Sequence, residues 1–113
     1  MKEIKAIIRP FKMAEVIDAL HGIEDLPGLM ISEIRGFGRT LGGSLQGKNA
    51  ADVADQMPRI KLEVVVSDDR VNEIVDLIQR HAHTGNSGDG KIFVLPVADA
   101  VKIRTNVHGE NAL

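Results

Sequence analysis

Apolar and polar residues alternate in two short stretches of this chain, and a helical pattern follows each of them. Residues 3–9 (EIKAIIR) and 60–66 (IKLEVVV) place every second apolar side chain on one face of a strand. Apolar residues then recur at helical spacing in Met13, Val16, Ile17 and Leu20 and, 58 residues later, in Val71, Ile74, Val75 and Ile78. Further strand patterns follow in residues 28–38 and 90–97.

The order strand–helix–strand therefore occurs twice, and this repeat predicts a ferredoxin-like βαββαβ fold of the α+β class. In that fold one antiparallel sheet carries both helices on a single face. Residues 1–113 are expected to form one domain, because a chain of this length builds one modest core. The second face of the sheet also carries apolar side chains, Ile7 and Val65. An uncovered apolar face predicts a partner surface, and further copies of the chain are the expected cover.

Composition and charge exclude several classes of protein. The chain is 43% hydrophobic and 27% charged, and its net charge is −2, which argues against nonspecific nucleic-acid binding. No apolar run approaches the roughly 20 residues of a membrane span. We therefore expect no membrane insertion and a cytoplasmic location. The chain has no cysteine, which excludes disulfides and thiolate metal sites.

Residues 40–57 (TLGGSLQGKNAADVADQM) separate the two halves of the repeat. A segment of this length is longer than an ordinary connection in a compact domain. It is either a tolerated surface insertion or an interaction loop. We favour the interaction loop, because loops of this length often carry function.

A glycine-rich loop is predicted at residues 83–91 (HTGNSGDGK), where Gly85, Gly90 and Lys91 resemble a P-loop. Here a helix precedes the loop and a strand follows it, which reverses the P-loop order. The residue after the lysine is Ile92, which cannot ligate a metal. An anion nest of loop amides beside Lys91 remains open, as does a simple glycine turn with a solvated lysine.

Two further basic segments would complete a polyanion site. One is RGFGR at residues 35–39, and the other is VKIRT at 101–105, inside the C-terminal segment 98–113. Each alone is typical of solvated charge, whereas three glycine-rich or basic clusters in one small domain favour a polyanion. His81 and His83 lack the i, i+4 spacing of a metal pair, so no metal site is expected. No catalytic motif stands out, and we expect a protein that is not an enzyme.

Four motifs, in this order and spacing, resemble the PII signalling proteins of nitrogen regulation over essentially the whole chain. They are AIIRPFK, EIRGFGR, TGNSGDGKIFVLPV and KIRT. The resemblance implies the same fold, a homotrimer, and ATP or ADP bound in clefts between subunits, with magnesium accompanying ATP. The residues matched to nucleotide binding are Ile7, Gly36, Gly38, Arg39, Val65, Gly88, Asp89, Gly90, Lys91, Lys102 and Arg104. Lys102 stands where the family usually has arginine, and Met30 where it has threonine.

The sequence also departs from that family. The family's long loop carries a tyrosine that is uridylylated, whereas this chain has no tyrosine and Asp52 stands at the position. Thr40 replaces a glutamine that helps to hold magnesium and 2-oxoglutarate, and Arg59 replaces a lysine that pairs with the 2-oxoglutarate carboxylate. The resemblance therefore implies a weak or lost response to 2-oxoglutarate.

The resulting hypothesis is an adenine-nucleotide sensor. ATP or ADP would set the conformation of residues 40–57, and a target protein, either a transporter in the membrane or an enzyme, would bind that loop. The alternatives are a nitrogen and carbon sensor that still binds 2-oxoglutarate, a slow ATPase, and a binding protein related to metal tolerance.

Overall fold

The structure is a computed structural model that describes residues 1–36 and 57–113. Its elements are β1 (Lys2–Ile8), α1 (Met13–His21), β2 (Met30–Arg35), β3 (Pro58–Val66), α2 (Val71–Ala82) and β4 (Lys91–Pro96). The strands form one antiparallel sheet in the order β2-β3-β1-β4. The two central strands, β1 and β3, come from different halves of the repeat, and each helix connects two strands of this one sheet. This is the ferredoxin-like arrangement. The predicted fold class is therefore confirmed.

One face of the sheet packs against both helices and forms the core. Ile4 of β1 pairs with Val64 of β3, and because side chains alternate along a strand, every second residue from these two points toward the helices. The sheet contributes Ile4, Ala6, Ile8, Ile60, Leu62, Val64 and Val66 to the buried cluster, and the helices contribute Val16, Leu20, Ile74, Ile78 and Ala82. The strand and helix periodicities of the sequence thus meet in a single core, as predicted.

The other face of the sheet, called the open face below, points away from both helices. Its apolar side chains include Ile7, Met30, Val65 and Phe93, which confirms the predicted position of Ile7 and Val65. Met30 and Phe93 keep 55% and 47% of their surface exposed. A single chain therefore leaves large apolar side chains uncovered on this face.

The C-terminal segment, residues 98–113, has an ordered fold of its own. Val101 pairs with His108 in an antiparallel bridge, and a 3₁₀ turn follows at Gly109–Ala112. The carboxylate of Asp99 accepts hydrogen bonds from the backbone N–H groups of Ala100 and Gly109 and lies 2.9 Å from Nδ1 of His108. These contacts hold residues 101–108, called the C-terminal hairpin below, in a defined conformation.

The two helices are short, with nine residues in α1 and twelve in α2. Across residues 1–36 and 57–113, no helix has the length and apolar character needed to cross a membrane.

Candidate functional site

The glycine-rich loop connects the end of α2 to the start of β4, so a helix precedes it and a strand follows, as predicted. Gly85, Gly88 and Gly90 all have left-handed φ angles, of +90°, +94° and +101°. Other residues adopt this region only with strain. A Cβ atom added to Gly90 would overlap the backbone oxygen of Ile7 and lie 2.8 Å from its carbonyl carbon. The loop backbone is therefore pressed directly against the end of β1.

The carboxylate of Asp89 is the centre of the hydrogen bonds that hold this loop. Its Oδ2 accepts the backbone N–H groups of Thr84 (2.8 Å) and Gly85 (2.9 Å). Its Oδ1 accepts Nε of Arg9 (3.0 Å) and the hydroxyl of Thr84. The hydrogen bonds from Thr84, followed by those from Arg9 and Gly85, hold the pKa of Asp89 well below its usual range. Asp89 therefore stays ionised and tied into its own loop.

Two arginines fasten the loop to the end of the sheet. Arg9, the residue after β1, donates from Nη2 to the carbonyl oxygen of Ser87 at 2.6 Å, in addition to its ion pair with Asp89. Arg59 is 7% exposed and donates to the carbonyl oxygens of Pro58 (2.8 Å) and Gly88 (3.5 Å). Burial, and then the charge of Arg9, lower the pKa of Arg59. Two guanidinium groups therefore hold the loop, Arg9 at Ser87 and Asp89 and Arg59 at Gly88.

The backbone amides of the loop fall into two groups. Those of Thr84 and Gly85 donate to Asp89, and that of Asn86 donates to the Thr84 hydroxyl at 3.2 Å. Among hydrogen bonds between described residues outside the strand ladders, none has the N–H of Gly88, Asp89 or Gly90 as its donor. Successive amides in a turn with left-handed residues form a concave site for anions. The second half of the loop thus has donors to offer a phosphate group.

A cavity of about 350 Å³ lies beside the loop, between α2 and the strands β1 and β4. Four residues predicted to contact nucleotide line it together: Ile7, Asp89, Gly90 and Lys91. Val75 and Gln79 of α2 form part of the opposite wall. Its volume lies at the small end of the range for ligand sites.

The predicted nucleotide residues that the structure describes divide between the two ends of the sheet. Ile7 pairs with Lys91 at the loop end, where Gly36 also lies, its N–H donating to the carbonyl of Met57 at 3.2 Å. Val65 pairs with Glu3, about 13 Å away along β1 at the usual rise per residue. Lys102 and Arg104 follow β4, which ends with Pro96 paired to Lys2 at that far end. Ile7 and Val65 therefore lie at opposite ends of the sheet, and the lining of the cavity beside the loop does not include Val65, Lys102 or Arg104.

Several predicted positions lie outside the described residues. They are Gly38, Arg39, Thr40 and Asp52, together with all of segment 40–57 except Met57. Of Thr40 and Arg59, the two residues at the positions where the family binds magnesium and 2-oxoglutarate, the structure therefore describes only Arg59.

The two histidines singled out in the sequence have separate surroundings. Nδ1 of His81 lies 3.1 Å from the Glu15 carboxylate and joins α2 to α1, while His83 lines the cavity and lies near Gly85. Over the described ranges, no three His, Asp or Glu side chains come close enough together to hold a metal ion.

Sequence reasoning assigned no role to Arg9 or Thr84, although both lie in motifs that it singled out. The contact of Arg9 with Asp89 joins positions 80 residues apart, and no local spacing rule reports such a pair. Thr84 lies five residues before Asp89, and it acts through a loop conformation that the glycine pattern only suggests.

Comparison with known proteins agrees with this architecture. Residues 1–107 match the family model described as "Nitrogen regulatory protein P-II". The chain is 46% identical to a protein of that name from Azospirillum brasilense, and 43% identical to "Nitrogen regulatory protein P-II 1" of Escherichia coli (strain K12). Each alignment covers all 113 residues and the full length of both proteins. This chain belongs to the nitrogen regulatory protein P-II family.

Proposed function

We propose that this protein is a regulatory adenine-nucleotide sensor that binds ATP or ADP at clefts between the subunits of a homotrimer. The observation that carries the proposal is the glycine-rich loop, which hydrogen bonds to the Asp89 carboxylate hold in one conformation. Its amides at Gly88, Asp89 and Gly90 are available to an anion, and Lys91 adds a positive charge beside them. This is the arrangement expected for a polyphosphate, whose negative charge binds to backbone amides and a lysine.

The division of the site supports binding between copies. Val65 lies at the far end of the sheet from the glycine-rich loop, and β4 ends there before the C-terminal hairpin that carries Lys102 and Arg104. The hairpin of one copy would therefore meet the loop of its neighbour. The open face supports the same assembly, because its exposed Met30 and Phe93 would be buried between subunits. A head-to-tail contact of this kind closes into a ring when its rotation allows.

The switch would act through the terminal phosphate. ATP and ADP share the base and sugar and differ only where the glycine-rich loop binds. Gly36 and Met57, which flank the segment between β2 and β3, lie at the same end of the sheet as that loop. A coupling of about 1–3 kcal/mol between the phosphate contacts and residues 40–57 would suffice for a target protein, either a transporter or an enzyme, to distinguish the two states.

Two ligand expectations follow from the contacts of Asp89 and Arg59. Asp89 already accepts four hydrogen bonds, so magnesium accompanying ATP would be carried by phosphate oxygens, and Asp89 is not proposed as a catalytic base. Arg59 is buried and donates to two backbone carbonyls, whereas the lysine that the family has at this position pairs with the 2-oxoglutarate carboxylate. We therefore propose that the response to 2-oxoglutarate is weak or lost.

Calorimetric titration of the purified protein tests this proposal. ATP and ADP should both bind, and saturating 2-oxoglutarate should leave the affinity for Mg-ATP unchanged. Lys91→Gln should weaken ATP binding about tenfold to a hundredfold, because it removes a charge beside the phosphates. The matched control is Arg80→Gln, on the exposed surface of α2, which should bind ATP like the wild type. Absence of ATP and ADP binding by the wild type would refute the proposal, and tightening by 2-oxoglutarate would refute its metabolite part.

A further inference from the structure

The resemblance matches Asp89 to nucleotide binding, but its carboxylate already accepts four hydrogen bonds and has no capacity left for a ligand. Each carboxylate oxygen accepts two hydrogen bonds, from Thr84 and Gly85 on one side and from Thr84 and Arg9 on the other. A free carboxylate here would also repel a phosphate, whereas the guanidinium of Arg9 at 3.0 Å compensates its charge.

We propose that Arg9, Thr84 and Asp89 form a brace that positions the phosphate-binding amides, and that Asp89 contacts the nucleotide only through its backbone. The inference rests on the proposed function and adds positioning residues to that site. The brace engages the amides of the first half of the loop and leaves those of Gly88, Asp89 and Gly90 for the ligand.

Arg9 has a geometric role that a simple positive charge does not fill. Its Nε binds the Asp89 carboxylate and its Nη2 binds the Ser87 carbonyl, so one planar group holds the loop at two points. It extends from the end of β1, the strand whose Ile7 backbone is pressed against Gly90. Arg9 therefore fixes the loop relative to the sheet as well as within itself. A lysine, with one terminal nitrogen, would not reproduce this fork.

The brace predicts a selective effect on the phosphate part of the ligand. ATP should bind more tightly than ADP, and ADP more tightly than AMP, because each added phosphate contacts the loop amides. If the amides lose their alignment, these differences in affinity should decrease, while contacts to the base and sugar, made elsewhere in the cleft, persist. A residue that merely stabilised the fold would weaken all three nucleotides together or lower the melting temperature alone. The ratio of the AMP and ATP dissociation constants therefore separates positioning from general stability.

The test measures the binding of AMP, ADP and ATP to the full-length wild type and to Arg9→Gln, Arg9→Lys, Asp89→Asn and Thr84→Val. We expect the AMP-to-ATP ratio to fall about tenfold or more in Arg9→Gln and Asp89→Asn, because charged hydrogen bonds that shape the loop are lost. Arg9→Lys should lie between Arg9→Gln and the wild type. Arg80→Gln is the matched arginine control and should keep the wild-type ratio.

The outcomes distinguish this inference from the proposed function. A wild type that binds no ATP overturns the proposed function itself. If the wild type binds ATP and the variants keep its AMP-to-ATP ratio, the brace is overturned. The brace is also overturned if the variants lose affinity for all three nucleotides equally. Should Arg9→Gln fail to fold, Arg9→Lys and Thr84→Val decide, since both leave the Asp89 carboxylate in place. An unchanged ratio in both of these would refute the brace.

Discussion

Replacing Gly90 by alanine combines two separate costs at one position of the glycine-rich loop. The residue has φ of +101°, where a side chain strains the backbone, and the added Cβ atom would overlap the carbonyl oxygen of Ile7. That neighbour is backbone in a paired strand, so it cannot move aside as a flexible side chain would. Relief requires β1 and the loop to separate.

The two costs can be estimated independently. A non-glycine residue in the left-handed region costs about 1–2 kcal/mol. Forcing an extra carbon into packed structure costs about 1–3 kcal/mol. Gly90→Ala should therefore reduce the unfolding free energy by about 2–5 kcal/mol, a large fraction of the roughly 5–15 kcal/mol typical of a domain.

Two other glycines provide matched controls. Gly109 has φ of +76° and open space around an added Cβ, so Gly109→Ala should show the backbone cost alone, about 1–2 kcal/mol. Gly28 has no heavy atom within 4 Å of an added Cβ, and Gly28→Ala should change stability by no more than about 0.5 kcal/mol. Urea denaturation at one fixed protein concentration measures all three, since the stability of an oligomer depends on concentration. If Gly90→Ala is no more destabilising than Gly109→Ala, the reasoning about close approach to β1 is refuted.

Three further predictions concern assembly, target binding and pH. Phe93→Asp places a charge on the open face and should dissociate the proposed trimer at micromolar concentration with unchanged circular dichroism; an intact trimer by light scattering would contradict this. Deleting residues 42–54 should abolish target capture and leave ATP affinity intact, and loss of both would argue against separate roles. Because hydrogen bonds, first those from Thr84, lower the pKa of Asp89, its carboxylate stabilises the fold fully above its unfolded-state pKa of about 3.9 and progressively less below it. The stability difference between wild type and Asp89→Asn in urea should therefore shrink below that pH, and a constant difference would contradict the contacts.

The fold could be predicted from the sequence because its strands and helices carry clear periodic patterns. Ile60, Leu62 and Val64 alternate along β3 with half-buried residues, and Ile74 and Ile78 recur on the buried side of α2. Each pattern reports burial directly, since only one face of each element meets the core. A displacement of 58 residues between the two helical patterns then indicated the repeat.

The candidate site could be predicted only in part. The glycine pattern identified the loop and Lys91, because left-handed backbone positions favour a specific residue type. The sequence did not indicate that Arg9 would bind Asp89, because that contact depends on β1 and β4 lying side by side. It matched Asp89 to nucleotide binding without indicating which of its groups is involved, and the four hydrogen bonds of its carboxylate direct the side chain into the loop. Side-chain direction is a property of the folded loop and leaves no periodic pattern in the sequence.

Mixed trimers test the central claim, a nucleotide cleft built by two copies, most directly. Lys91→Gln impairs the loop side of every cleft, and Arg104→Gln impairs the hairpin side. We predict that each variant alone binds ATP weakly, and that co-expression of the two restores wild-type affinity in about one quarter of the clefts, by random assortment of copies around a closed ring. Calorimetry of the mixed trimer would then show a tight class of sites absent from either parent. If both parents bind weakly and the mixed trimer shows no tight class, Lys91 and Arg104 act within one chain, and the account of a cleft between subunits is wrong.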